Sequence, residues 1–188
     1  MAIELLGFII LSVIILFVFF TIRTYYFCRT NKENIDIIFN GIHWVIGQRN
    51  IVLENLVVFL NKVVFNHLDQ TFETLARDIK NTGKLIQDDF LKLDVDKISS
   101  DEAHLREKMF KLFDKIYTIP NMEHNLDIHE FRKSLTDLNT DLLNLQDKYN
   151  EYVSYNNKLM VKFPYKYYNS YLDIFKLPKL KFKKIVEM

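Results

Sequence analysis

From Leu5 to Ile22 the chain carries eighteen uncharged residues, all apolar except Gly7, Ser12 and Thr21. That length is close to the ~20 residues needed to cross about 30 Å of hydrocarbon, so the stretch predicts a transmembrane helix with its ends at Leu5 and Ile22. In lipid no water satisfies the backbone, which requires a helix, and Ser12 and Thr21 can bond back to their own turn. Arg23 ends the run, and Tyr25 and Tyr26 suit the headgroup region. A cleaved signal peptide fits poorly, because only Glu4 precedes the run and no Ala-x-Ala site follows it. A lipoprotein anchor fits no better, since Cys28 follows Tyr26-Phe27 rather than small residues. A buried core helix would rarely lack every charge for so long.

Beyond the span the period changes. Ile35, Ile38, Ile42, Val45, Arg49, Val52, Leu56, Phe59 and Val63 alternate three and four apart, the spacing of a seam that faces a partner helix, as in a coiled coil. A second stripe holds Phe72, Leu75, Ile79, Ile86, Phe90 and Leu93, with Thr82 and Gly83 as a weaker middle and Asn66 to Asp69 as the preceding turn. Ser99 and Glu102 have capping-box spacing and predict the start of a third helix, through Leu105, Met109, Leu112 and Ile116, that Pro120 closes. The last seam, from Ile128 through Phe131, Leu135, Leu138, Leu142, Leu145, Tyr149, Tyr152, Asn156 and Leu159 to Phe163, predicts one helix of about 54 Å ending at Pro164. Each stripe is too narrow to be stable alone in water, so the expected fold is all-α: a transmembrane helix followed by an up-and-down antiparallel four-helix bundle. The expected divisions are residues 1–24 as anchor, 25–164 as bundle and 165–188 as a basic, aromatic tail.

Composition sharpens this picture. Four glycines and three prolines in 188 residues favour long, rarely interrupted helices over a sheet with many tight turns. Lys and Arg total 25 against 24 Asp and Glu, so no global field draws the chain to nucleic acid, and none is expected as a partner. Cys28 is the only cysteine, which excludes an intramolecular disulfide. Arg23, Arg29 and Lys32 all follow the span and no Lys or Arg precedes it, so the positive-inside rule predicts an outside N-terminus and a cytoplasmic bundle on a single-pass protein of the cell membrane.

Tyr149-Asn150-x-x-Val153, then Asn156-Asn157 and Phe163-Pro164, together resemble the ending of the LemA family, Y-N-x-x-V-x-x-Y-N-x-x-x-x-x-F-P, with Asn156 where the family has Tyr. The resemblance extends back to Ile119-Pro120, against a Y-P pair in the family. In the first bundle helix the family's R-R-x-D-L-I-P-N-L-V meets Gln48 to Val57, where Arg49, Asn55, Leu56 and Val57 coincide and Ile51 and Glu54 replace the acidic and proline positions. The resemblance implies a bacterial membrane-anchored four-helix domain with no established enzymatic activity.

No group of residues has the pattern of an active site, and no catalytic residue, cofactor or metal is assigned. Glu123, His124, Asp127, His129 and Glu130 are rich in ligand types, but the spacing matches neither HExxH nor Glu-x-x-His, and an acidic helix N-terminus accounts for them. Asp94, Asp96, Asp101 and Glu102 suggest a calcium loop, yet Ile98 stands where an oxygen ligand belongs and no glycine makes the bend. Arg49 and Asn156 occupy seam positions: they either fix register through buried hydrogen bonds or, for Arg49, the side chain snorkels out of a partly open seam. After Pro164 the tail interleaves Tyr165, Lys166, Tyr167, Tyr168, Tyr171, Phe175 and Lys176 with Lys179, Lys181, Phe182, Lys183 and Lys184. A fourth helix returning toward the membrane would set this tail against the headgroups, so a peripheral membrane contact is expected, with a solvated tail packed on the bundle as the alternative. The functional expectation is a membrane-anchored scaffold with an unknown protein partner. The alternative is a sensor or accessory subunit that transmits a signal through the anchor helix, from Arg23 to Val63, although Met1 to Glu4 is short for a receiving element.

Overall fold

A computed structural model describes residues 2–63, 70–92, 94–161 and 177–182. Its regular structure is helical throughout: α1 Ala2–Val63, α2 Gln70–Lys92, α3 Val95–Thr118 and α4 Leu126–Leu159, with no strand among the described residues. The Asn66 to Asp69 turn, Leu93, Phe163, Pro164 and most of the tail lie outside the described residues.

The local chemistry sets the helix ends, and not always where spacing predicts. α3 starts four residues before Ser99: Asp94 is its N-cap and accepts a hydrogen bond from the Lys97 N–H at 3.3 Å. Ser99 instead donates to the Val95 carbonyl at 2.8 Å, and Glu102 points into the protein, so neither forms the expected capping box. At the other end the Ile119 N–H bonds back to the Ile116 carbonyl and Pro120 follows, which is how a helix stops before proline. Asn121 takes the left-handed conformation at φ 69°, and Asn125 then opens α4 by accepting from the N–H groups of Asp127 and Ile128 at 2.9 and 3.2 Å. α4 ends at Leu159, a few residues before the predicted Phe163.

The chain divides into two compact units, Ile38–Asn150 with Pro178–Met188, and Met1–Ile37 with Glu151–Leu177. In the larger unit, contacts fix the direction of neighbouring helices. On α1 and α4, Phe39 meets the Tyr149 ring and Phe59 meets the Phe131 ring. On α1 and α2, Asn50 meets Gly83 while Glu54 meets Lys80. Rising numbers on one helix against falling numbers on its neighbour describe antiparallel pairs. Much of the predicted seam is core: Ile42 and Leu56 of α1, Ile79 and Ile86 of α2, Leu105, Met109, Leu112 and Ile116 of α3, and Ile128, Leu135 and Leu142 of α4 are essentially without solvent contact. On α1, however, Ile46 and Leu60, which lie off the predicted stripe, are fully buried, whereas Val52 and Phe59 are half-buried and Val63 is exposed, so the buried face is turned from the one that spacing predicts. Burying each such side chain contributes about 1.5–3 kcal/mol before entropy is subtracted.

Thr82 and Gly83, the weak middle of α2 by propensity, make close contacts. A Cβ on Gly83 would lie 2.6 Å from Asn50 Oδ1, and the Gly83 carbonyl accepts from Asn50 Nδ2 at 3.0 Å. Thr82 Oγ1 donates to the Asp78 carbonyl and accepts from Lys108 Nζ of α3. The helix gives up propensity there for close approach.

In the smaller unit the apolar run stands in the open. Phe8, Leu16, Phe17 and Phe19 are 63–71% exposed, and α1 is long and apolar enough to cross a membrane. The two hydroxyls of the apolar run are satisfied within the helix, Ser12 to the Phe8 carbonyl and Thr21 to the Phe17 carbonyl. Thr24, Cys28, Asn31 and Ile35 are then buried at four- and three-residue steps, extending the seam a stretch earlier than apolar spacing alone reveals.

Candidate functional site

Arg49 sits in the α1 seam between Ile46 and Leu53, and its side chain is fully buried. It does not snorkel. Its Nη1 lies 2.5 Å and 3.0 Å from the two carboxylate oxygens of Glu102 on α3 and 3.4 Å from Asn139 Oδ1 on α4. One turn along α3, Arg106 approaches the same carboxylate at 4.0 Å, with all three guanidinium nitrogens shut off from solvent. Burial pushes the Arg106 guanidinium below its usual pKa, Glu102 opposes this, and the charge of Arg49 adds to it. The cluster ties α1, α3 and α4 together. Ion-paired with Glu102 and hydrogen-bonded to its Oε2 and to Asn139, Arg49 fits only one rotation of each helix, so the arrangement specifies register.

In the smaller unit a neutral pair has the same job. Asn156, the seam residue of α4, accepts from Asn31 Nδ2 of α1 at 3.2 Å, and both are buried. Cys28 is buried close by in sequence, and desolvation raises its thiol pKa, which suits packing and opposes nucleophilic use.

The motif residues on α4 serve a role that their spacing conceals. Asn150 holds the Leu180 backbone at both ends, its Nδ2 donating to the carbonyl at 2.7 Å and its Oδ1 accepting from the N–H at 2.9 Å. Gln146 accepts from the Phe182 N–H, and Leu180 and Phe182 are buried while Lys179 and Lys181 face solvent. Asn157 grips the Leu177 backbone in the same two-handed way, at 2.8 and 3.1 Å, within the smaller unit. Side-chain amides thus satisfy backbone groups that a segment outside regular structure would otherwise leave unpaired. Tyr149 and Val153 are buried, and Asn55 lines a shallow groove with Asp127 and Glu130.

A larger groove, of about 710 Å³, runs between α1 and α2. Trp44, Ile51 and Val58 lie along it at seven-residue steps and are 62%, 51% and 51% exposed. Lys80 and Lys84 line the α2 side, and among the described residues only Lys80 is paired with a carboxylate, Glu54 at 3.3 Å.

The remaining ligand-type residues do not gather. Among the described residues no three His, Cys, Asp or Glu side chains converge on a metal position, and His129 Nε2 meets the Glu123 carbonyl at 2.8 Å. Asp94, the first residue of the supposed calcium loop, is engaged as the α3 cap.

No family model, curated protein or solved structure matches the chain.

Proposed function

We propose that this protein is a membrane-anchored, non-enzymatic scaffold of the LemA type, in which an up-and-down four-helix bundle presents the α1–α2 groove to a helical segment of a protein partner. The observation that carries this reading is the row Trp44, Ile51 and Val58, apolar and open to water at a helical repeat. Scattered apolar residues on a surface need no explanation, but a contiguous row in a groove marks an interaction surface. The excess positive charge of Lys80 and Lys84 over Glu54 on its walls favours a partner helix with an apolar stripe flanked by acidic residues. The bilayer is the other partner, through the Leu5–Ile22 tract. Arg23, Arg29 and Lys32 following the tract support a cytoplasmic bundle in the cell membrane. The Asn150, Asn157 and Arg49 contacts give structural roles to residues that carry the family resemblance.

Photocrosslinking tests the groove. A photoreactive residue in place of Trp44, in the full chain in its membrane, is expected to give one discrete adduct that Lys80→Glu with Lys84→Glu abolishes. The same adduct formed from exposed Lys148, or one insensitive to the charge reversal, contradicts the reading. As Trp44 is the sole tryptophan, its emission also reports occupancy directly, shifting to the blue when the groove fills.

A second reading, a sensor or accessory subunit, is favoured by the continuity of α1 as one helix from Ala2 to Val63. Such a helix links the apolar tract to its seam along one backbone.

A further inference from the structure

Arg49 and Arg106 bring two positive charges to one carboxylate, Glu102, and among the described residues no other acidic group lies within ion-pair distance of either. The surplus of one charge is buried. Arg49 is fully enclosed, with its Nε and Nη2 lacking any hydrogen-bond partner, and Arg106 likewise has no partner for Nε, Nη1 or Nη2. Asn139 Nδ2 adds a further unpartnered donor from α4. Every one of these six nitrogens is a donor, and the one acceptor of the cluster without a hydrogen bond, Glu102 Oε1, already lies in the ion pair with Arg49, so donors outnumber acceptors six to one. The side chain of Arg106 keeps 11% of its surface exposed, but none of that is on its guanidinium nitrogens. An arginine that exposes its stem and hides its head is the reverse of snorkelling.

Two neutral remedies fall short. Water molecules would satisfy donors but leave the charge uncompensated, and a guanidinium is not deprotonated in a protein interior. An acceptor carrying one negative charge meets both demands. We propose that the Arg49–Arg106 cluster is a binding site for one small monovalent inorganic anion, of halide size, held between α1, α3 and α4. Small size follows from the enclosure, since Arg49 is fully buried and the guanidinium nitrogens of Arg106 have no exposed surface. Donors from three helices make the ion a structural counter-charge, so its occupancy is linked to folding.

The test is thermal unfolding of the full chain in a non-ionic detergent, at constant ionic strength, with gluconate exchanged for chloride. The melting midpoint is expected to rise by about 3–6 °C between about 5 mM and 500 mM chloride. Arg106→Met leaves Arg49 and Glu102 as a matched pair and is expected to abolish that rise. An unchanged midpoint in the native chain, or an equal rise in Arg106→Met, overturns the proposal. Chloride-35 NMR gives an independent readout on the native chain alone: excess line broadening that bromide competes away is expected, and its absence overturns the proposal even if Arg106→Met fails to fold.

Discussion

The two ends of α1 are built from similar apolar residues and reach opposite outcomes. Between Leu6 and Ile22 the large apolar side chains stand about half or more exposed, whereas Ile42, Ile46, Leu56 and Leu60 of the same helix have no exposed surface. The difference lies in the polar residues between them. From Ile38 on, every turn carries groups that water solvates on one face while the other face packs on α2, α3 and α4, the arrangement that makes a helix stable in water. The earlier stretch has no polar face, and its only hydroxyls, Ser12 and Thr21, are turned back onto their own helix. An apolar surface of that extent is long and apolar enough to cross a membrane, where lipid would solvate it. One continuous helix is thus suited to two solvents, and the change falls near Arg23.

The comparison breaks most sharply at Glu102. Glu102→Leu leaves two buried guanidiniums without a carboxylate and is expected to cost the bundle about 3–5 kcal/mol in denaturant unfolding, with membrane association of the anchor unchanged. Next comes one chemical change made in both stretches. Leu56→Ala opens a cavity in the core and should cost about 2–5 kcal/mol, while Leu16→Ala, at a position 67% exposed, should leave the unfolding midpoint where it was. Equal effects at the two sites would show that both stretches pack in the same environment. Asp94→Ala removes a cap that a water-exposed helix end depends on, and should cost about 1 kcal/mol in the same assay.

The smallest effect is on pH dependence. Burial, then the charge of Asp89, raises the Asp101 pKa above the ordinary carboxylate value. The folded state therefore binds that proton more tightly than the unfolded chain, so its contribution is best below the unfolded pKa and is lost as pH rises through the folded one. Asp101→Asn is expected to add less than about 1 kcal/mol at neutral pH and to flatten the stability profile in the acid range, read from melts at several pH values.

The helices were legible because burial has a period, and Ile35 through Leu56 and Ile128 through Leu159 display it, but a straight helix drifts from a strict three-four alternation, so on α1 the buried face passes to Ile46 and Leu60 and leaves Val63 exposed. Arg49 and Asn156 also announced themselves as polar residues in apolar seams. Their partners did not. Asn31, Glu102, Arg106 and Asn139 are ordinary polar residues on amphipathic helices, and only the rotation of one helix against another decides which of them turn inward. Glu102 was misleading for a local reason: three residues after Ser99 it imitates a cap, while the true cap is Asp94, which lies in a run of acidic residues where several candidates compete. The grip of Asn150 on the Leu180 backbone and of Asn157 on the Leu177 backbone was hidden because an amide that binds backbone leaves no mark in the segment it binds. Gln146, four residues before Asn150, was the one available signal, a third amide on the same side of α4.

Alkaline carbonate extraction tests the two-solvent account of α1 most directly. The full chain is expected to stay with the membrane pellet, and a chain lacking residues 2–22 to be released folded into the supernatant. Release of the full chain under the same conditions would contradict the assignment of its apolar tract to lipid.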